Sequence, residues 1–273
     1  MSTNASPPPN DATQTLDAGA RGRVVIYQNA EALARAAAQA FARITTEAVA
    51  ARDRAFVALS GGSTPKRMGE LLATLEYRDS VPWQDLQILW GDERWVPEES
   101  EESNAGVARR SFLSKVPLPV AHIHPFPTEG LEPDAAAEAY GVLMRTIVTM
   151  DKGLPRFDLV ILGMGDDGHT ASLFPGTDAV PEQEVQVVAH HVPKLDAIRL
   201  TLTAPVLNAG REILFLIAGE QKALMLKRIL EGDESTMDLP ARIIQPASGT
   251  LTWFVDRAAA AELTLPEASP DGG

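Results

Sequence analysis

The 273-residue sequence contains no cysteine, which excludes disulfide frameworks, thiolate metal centres and cysteine nucleophiles. Positive charge is scarce: 24 Lys and Arg face 37 Asp and Glu, for a formal net charge of -13. That balance argues against a nucleic-acid partner, because such proteins need a basic face to displace counterions from phosphates. A small anionic substrate would require a local cluster of Lys and Arg strong enough to reverse the general field. No apolar run reaches the length of a transmembrane helix, so no membrane partner is expected. Residues Met1 to Ala20 are rich in Pro, Ser, Thr, Asn and Asp and lack an apolar core segment. They read as a disordered tail rather than a signal peptide, and the expected location is cytoplasmic. Residues 266–273 are expected to be loose as well.

What remains, residues 21–265, shows no repeat and no linker, and is expected to form a single α/β domain. Short β-prone runs alternate with helical periodicity. Arg23 to Gln28 reads as a strand, followed by an Ala-rich helix capped by Asn29 and running to about Arg52. Ala55 to Leu59 is a second strand. Ser60-Gly61-Gly62-Ser63-Thr64-Pro65-Lys66 follows, then a helical stripe through Met68, Leu71, Leu72 and Leu75. This is a phosphate-site pattern: glycines allow close backbone approach, Thr64 can cap, and Pro65 suits the first turn of a helix whose free amides attract an anion. It is not a Walker loop, since no Gly-Lys-Ser/Thr follows.

Leu86 to Trp90 delivers Gly91-Asp92-Glu93-Arg94-Trp95 at a strand's end, where carboxylates cost free energy unless paired. Ser103-Asn104 caps a helix to about Ser114, and Pro133 opens another to about Met150. His122 and His124 alternate before Pro125, but spacing supplies no third ligand, so they read as partly buried strand residues rather than a zinc pair. Val185 to Ala189, Ile198 to Thr203, Glu212 to Ala218 and Leu251 to Val255 read as strands, and Pro240 to Ile243 as a short helix. Arg199 interrupts an apolar alternation, as a solvated edge charge or as an anion ligand. Lys222 falls in the first turn of a helix, where a cation opposes the dipole, and that inconsistency hints at use.

The run Phe157 to Leu162 reads as a strand buried on both faces of a parallel sheet. It leads into Gly163-Met164-Gly165-Asp166-Asp167-Gly168-His169-Thr170-Ala171-Ser172-Leu173-Phe174-Pro175. The formal GxGxxG match is a poor dinucleotide site. Two carboxylates would repel a pyrophosphate, Pro175-Gly176 leaves no room for a long helix, and the motif lies mid-chain. His169 has a free pKa near neutrality and can take a proton from water, with Asp167 orienting the ring. No serine sits in a nucleophile elbow, so a His-activated water is the better reading.

Ser60-Gly-Gly-Ser-Thr-Pro65, Asp92-Glu-Arg-Trp-Val-Pro97, Ser103-Asn104 and the 163–175 loop resemble, in order, the motifs of the 6-phosphogluconolactonase family, over about residues 23 to 256. The resemblance implies a Rossmann-like, mostly parallel sheet with helices on both faces, as in glucosamine-6-phosphate isomerase, with no metal and no organic cofactor. It implies hydrolysis of 6-phospho-D-glucono-1,5-lactone, the second step of the oxidative pentose phosphate pathway, by a chain expected to be monomeric. By the same resemblance His169 is the base and Asp167 its partner. Ser60, Gly61, Gly62, Ser63 and Thr64 form the phosphate cradle. Lys66, Arg94, Arg199 and Lys222 are basic positions near substrate, and Asp92 either orients sugar hydroxyls or balances Arg94. The related deaminase/isomerases carry an acidic residue where this sequence has Phe174, which favours lactone hydrolysis. A non-catalytic sugar-phosphate sensor is disfavoured because His169 and Asp167 are both present.

Overall fold

A computed structural model describes residues 12–269. The chain begins with strand β1 (Ala12–Asp17), then β2 (Arg23–Tyr27), helix α1 (Ala30–Arg52) and β3 (Ala55–Leu59). Helices α2 (Ser63–Leu72) and α3 (Leu75–Arg78) lead to β4 (Leu86–Trp90) and the short β5 (Asp92–Arg94). Next come α4 (Asn104–Ser111), α5 (Pro133–Ile147), a hairpin of β6 (Met150–Asp151) and β7 (Leu154–Pro155), and β8 (Leu159–Leu162). The last part holds β9 (Val187–Val192), β10 (Ala197–Leu202), α6 (Ala204–Asn208), β11 (Glu212–Ile217), α7 (Ala223–Glu231) and β12 (Thr250–Asp256).

Seven strands form one sheet in the order β1-β2-β12-β11-β8-β3-β4. Every pair is parallel except β1 with β2. All residues of β3 and β8 are buried whatever the side they face, so both faces of the sheet are covered, and this is why those segments read as unbroken apolar runs. The chain steps outward from β3 to β4, then returns to place β8 on the other side of β3. The loops leaving β3 and β8 therefore diverge, and a crevice opens between them at the carboxyl edge of the sheet. A second sheet, β5-β10-β9, lies beyond that edge. Among the described residues no helix is long and apolar enough to cross a membrane.

Local signals explain most element ends. Asn29 caps α1 by accepting from the Ala32 amide at 3.0 Å, and Ser103 caps α4 by accepting from the Gly106 amide at 3.0 Å. Tyr140 of α5, fully buried, receives the Trp90 amide at 2.9 Å and so pins the end of β4 just before Asp92.

Four expectations need correction. The tail expected over residues 1–20 is a strand from Ala12, zipped antiparallel onto β2; residues 1–11 lie outside the described residues. Nor is the chain loose at 267–268, since Glu267 bridges Leu16 and the Ala268 amide donates to the Thr15 carbonyl at 2.9 Å; residues 270–273 lie outside the described residues. The buried Leu16 anchors this edge, a single apolar side chain that the polar composition around it concealed. Thr64 is not the cap of α2: Gly62 takes that position at φ 109 with no side-chain bond. His122 ends a short 3-10 turn rather than lying in a strand, and only Ile123 bridges Ile88.

Candidate active site

Four strands deliver their following loops into one cleft of about 450 Å³. From β3 come Ser60 to Pro65, from the β4–β5 corner Asp92 and Arg94, from β8 the stretch 163–174, and from β11 Leu216 to Ala218 with Gln221 and Lys222. Lys194, Leu195 and Arg199 enter from the smaller sheet. Of the expected site residues, Ser60, Gly61, Gly62, Ser63, Thr64, Asp92, Arg94, Asp167, His169, Arg199 and Lys222 all line this cleft. Lys66 does not. It is exposed on the first turn of α2, after the buried Pro65, and borders a smaller adjoining hollow that shares Ser60, Gly61 and Gly62 with the cleft.

The loop after β8 is shaped to hold an imidazole against a carboxylate. Gly168 turns at φ +81, and the Gly165 amide donates to the His169 carbonyl at 2.9 Å. A Cβ on Gly165 would lie 2.1 Å from the His169 ring, so only glycine lets the ring fold over this turn. His169 Nδ1 lies 2.5 Å from Asp167 Oδ1, and Lys194 Nζ donates to Asp167 Oδ2 at 2.7 Å. Burial pushes the Asp167 carboxyl up, but hydrogen bonds from His169 and Lys194 outweigh it and hold the group well below the usual carboxylate range. An ionised carboxylate can only accept, so in a neutral ring Nδ1 carries the proton and the Nε2 lone pair is left open. Phe174 stacks on the ring at 4.0 Å between centroids, fixing its plane with an apolar face.

Around this pair the cleft is cationic. Arg94 and Arg199 sit opposite one another in the β5–β10 pairing, and among the described residues neither forms an ion pair. Arg94 donates to the Glu102 carbonyl at 2.6 Å and Arg199 to its neighbour Ile198 at 3.1 Å. Burial and the adjacent Arg94 push the Arg199 guanidinium down, a strain that a bound anion would relieve. Lys222 pairs with Asp166; rather than sitting inside the helix, it closes a 3-10 turn ahead of α7.

The β5 corner is locked from beneath. Glu93, 2 % exposed, accepts the amides of Asn104 at 2.7 Å, Ala105 at 2.8 Å and Arg94 at 2.8 Å, with the Ser103 hydroxyl at 3.2 Å. Burial pushes its carboxyl up against those bonds. Asp92 receives the Ser172 hydroxyl at 2.8 Å, which ties the β5 corner to the loop after β8 rather than to Arg94. Asn104 donates to the Asp92 carbonyl at 2.9 Å, and its Oδ1 packs so close to Gly61 that a Cβ there would meet it at 1.9 Å. Asn104, read from sequence as a helix start and a family motif but given no role, thus binds the phosphate-type loop to the β5 corner. Lys194, Asp166 and Ser172 were not singled out either. Lys194 follows a proline in an unremarkable turn, and nothing in its neighbourhood signals its partner.

A parallel α/β sheet whose switch point gathers a histidine–carboxylate pair, a free helix start and two arginines defines a class: an α/β enzyme with a site suited to acid–base chemistry on a small anion. The family described as glucosamine-6-phosphate isomerases/6-phosphogluconolactonase matches residues 28–253, and the chain belongs to it. It is 40% identical over 255 residues to human 6-phosphogluconolactonase, covering 92% of this chain and 97% of that one. It is also 40% identical over 219 residues to the 6-phosphogluconolactonase of Synechocystis sp., covering 80% and 88% respectively. The solved structure of 6-phosphogluconolactonase from Trypanosoma brucei matches with a TM-score of 0.78 at 27% identity, covering 88% of this chain and 98% of that one.

Proposed function

We propose that this chain hydrolyses 6-phospho-D-glucono-1,5-lactone to 6-phospho-D-gluconate, the second step of the oxidative pentose phosphate pathway, with His169 activating the water. The observation that carries the chemistry is the Asp167–His169 pair opening onto a cleft shared with the Ser63 start of α2 and the Arg94–Arg199 pair. The first amides of α2 have no intrahelical acceptor, and with the two guanidiniums they offer an anion site for the phosphate. His169 Nε2 takes a proton from water as the oxygen attacks C1. The resulting oxyanion is stabilised by the cationic lining, the C1–O5 bond breaks, and the imidazolium returns its proton to O5. The product acid then ionises and releases one proton.

Glucosamine-6-phosphate deamination is the competing chemistry within the family. It must open a ring and move protons between carbons, and Phe174, packed on His169, offers no acid for that work. The discriminating experiment follows proton release from freshly generated lactone, and ammonia release from glucosamine 6-phosphate. Acceleration of the first with none of the second is expected; the opposite pattern would overturn the assignment. A cytoplasmic monomer belongs to the same proposal, and sedimentation at micromolar concentration tests its oligomeric part.

A further inference from the structure

We propose that Lys194 sets the proton affinity of His169 by sharing the Asp167 carboxylate with it. The two oxygens of Asp167 are divided: Oδ1 serves His169 Nδ1 at 2.5 Å and Oδ2 takes the Lys194 ammonium at 2.7 Å. Lys194 comes from a different element, the Pro193–Leu195 turn between β9 and β10. That turn is closed by Asp196 in the left-handed region at φ 46, its amide donating to the Pro193 carbonyl at 3.2 Å. The pairing is therefore built by tertiary structure and not by local sequence.

The consequence is electrostatic. A carboxylate facing an imidazole with no other partner stabilises the imidazolium, and a ring already protonated at neutral pH cannot take a proton from water. An ammonium on the second oxygen offsets part of that charge. The ring stays oriented by Asp167 while that carboxylate's pull on a second ring proton is weakened. The other charged groups around the cleft are themselves engaged or more remote. Asp166 is tied to Lys222, Asp92 to Ser172, Arg94 and Arg199 lie on the β5–β10 sheet, and the ring face is covered by Phe174. The half-buried His190, on β9, is held to the Ser172 carbonyl at 2.8 Å. Lys194 is thus a positioning residue acting through Asp167.

This inference rests on His169 being the base, and its test separates the two. In Lys194→Met the acid limb of kcat/KM should move up by on the order of half to one pH unit, the scale of a unit charge acting a few ångströms away through a partly exposed site. The NMR titration midpoint of the His169 ring in substrate-free protein should rise by the same amount, and Lys194→Arg should return both towards wild type. A raised KM at every pH with both midpoints unmoved would make Lys194 a substrate ligand instead and would overturn the proposal. Because the NMR midpoint is read without turnover, it stands or falls independently of the base assignment, which His169→Ala tests.

Discussion

Replacing Asp167 by Asn poses a problem of valence that the wild-type site does not have. The carboxylate supplies two acceptor oxygens, one to His169 Nδ1 and one to Lys194 Nζ. The amide has one oxygen and one NH2 group. Lys194 can only donate, so it claims the oxygen, and the NH2 then faces His169 Nδ1. The ring must switch to the tautomer protonated at Nε2, which cannot accept a proton from water. Loss of the base should lower kcat by roughly 10²- to 10⁴-fold, about 2.7 to 5.5 kcal/mol of barrier, with the upper end set by what a wrong tautomer costs a serine-protease triad. The same logic predicts non-additivity. In Asp167→Asn with Lys194→Met the amide oxygen is free to turn to Nδ1, so the double variant should be several-fold faster than Asp167→Asn alone. The assay is kcat from proton release, corrected for spontaneous hydrolysis, at a pH above the acid limb of every variant. An Asp167→Asn enzyme within tenfold of wild type, or a double variant slower than the single, would refute the reasoning.

Stability should report the same carboxylate. Hydrogen bonds hold Asp167 below the ordinary carboxylate range, so its contribution is complete above the unfolded pKa of about 3.9 and is lost as pH falls through the lower folded value. The gap in urea stability between wild type and Asp167→Asn should hold or widen from pH 7 to about 5, as His169 takes up a proton beside the carboxylate, and narrow below about pH 4; a gap that narrows already between pH 7 and 5 would contradict the assignment. Gly61→Ala drives a Cβ to 1.9 Å from the buried Asn104 side chain, which is held by the Asp92 carbonyl. It should cost about 1 to 3 kcal/mol in denaturation and raise KM, because the loop and the β5 corner move together. Arg199→Met should raise KM tenfold or more, the scale of about 1.5 to 3 kcal/mol for a hydrogen bond to a charged group, and weaken the dependence of KM on salt. Unchanged kinetics would remove Arg199 from the site.

Much of the fold was legible in the sequence because its determinants are local. Strands β3 and β8 announce themselves as short apolar runs, α1 starts at a capping asparagine, and the glycine-rich turns after both strands reach the cleft as expected. His169 and Asp167 are two residues apart, so their pairing could be read from spacing. The rest depends on tertiary placement. Lys194 meets Asp167 across 27 positions and Ser172 meets Asp92 across 80. Neither pairing leaves a periodicity or a motif. Lys66 follows the phosphate-type loop directly, but on the first turn of α2 it is exposed and borders an adjoining hollow rather than lining the cleft. Strand β1 escaped notice because its polar alternation resembles a tail until β2 and the 266–268 segment supply partners.

Hydrolysis as proposed turns on His169 as the group that takes water's proton. Its most direct test is the rate of 6-phosphogluconolactone hydrolysis by His169→Ala at a pH where spontaneous opening is slow, together with product binding by calorimetry. Turnover is predicted to fall to near the spontaneous rate while 6-phosphogluconate still binds within a few-fold of wild type. Turnover close to wild type in that variant would contradict it.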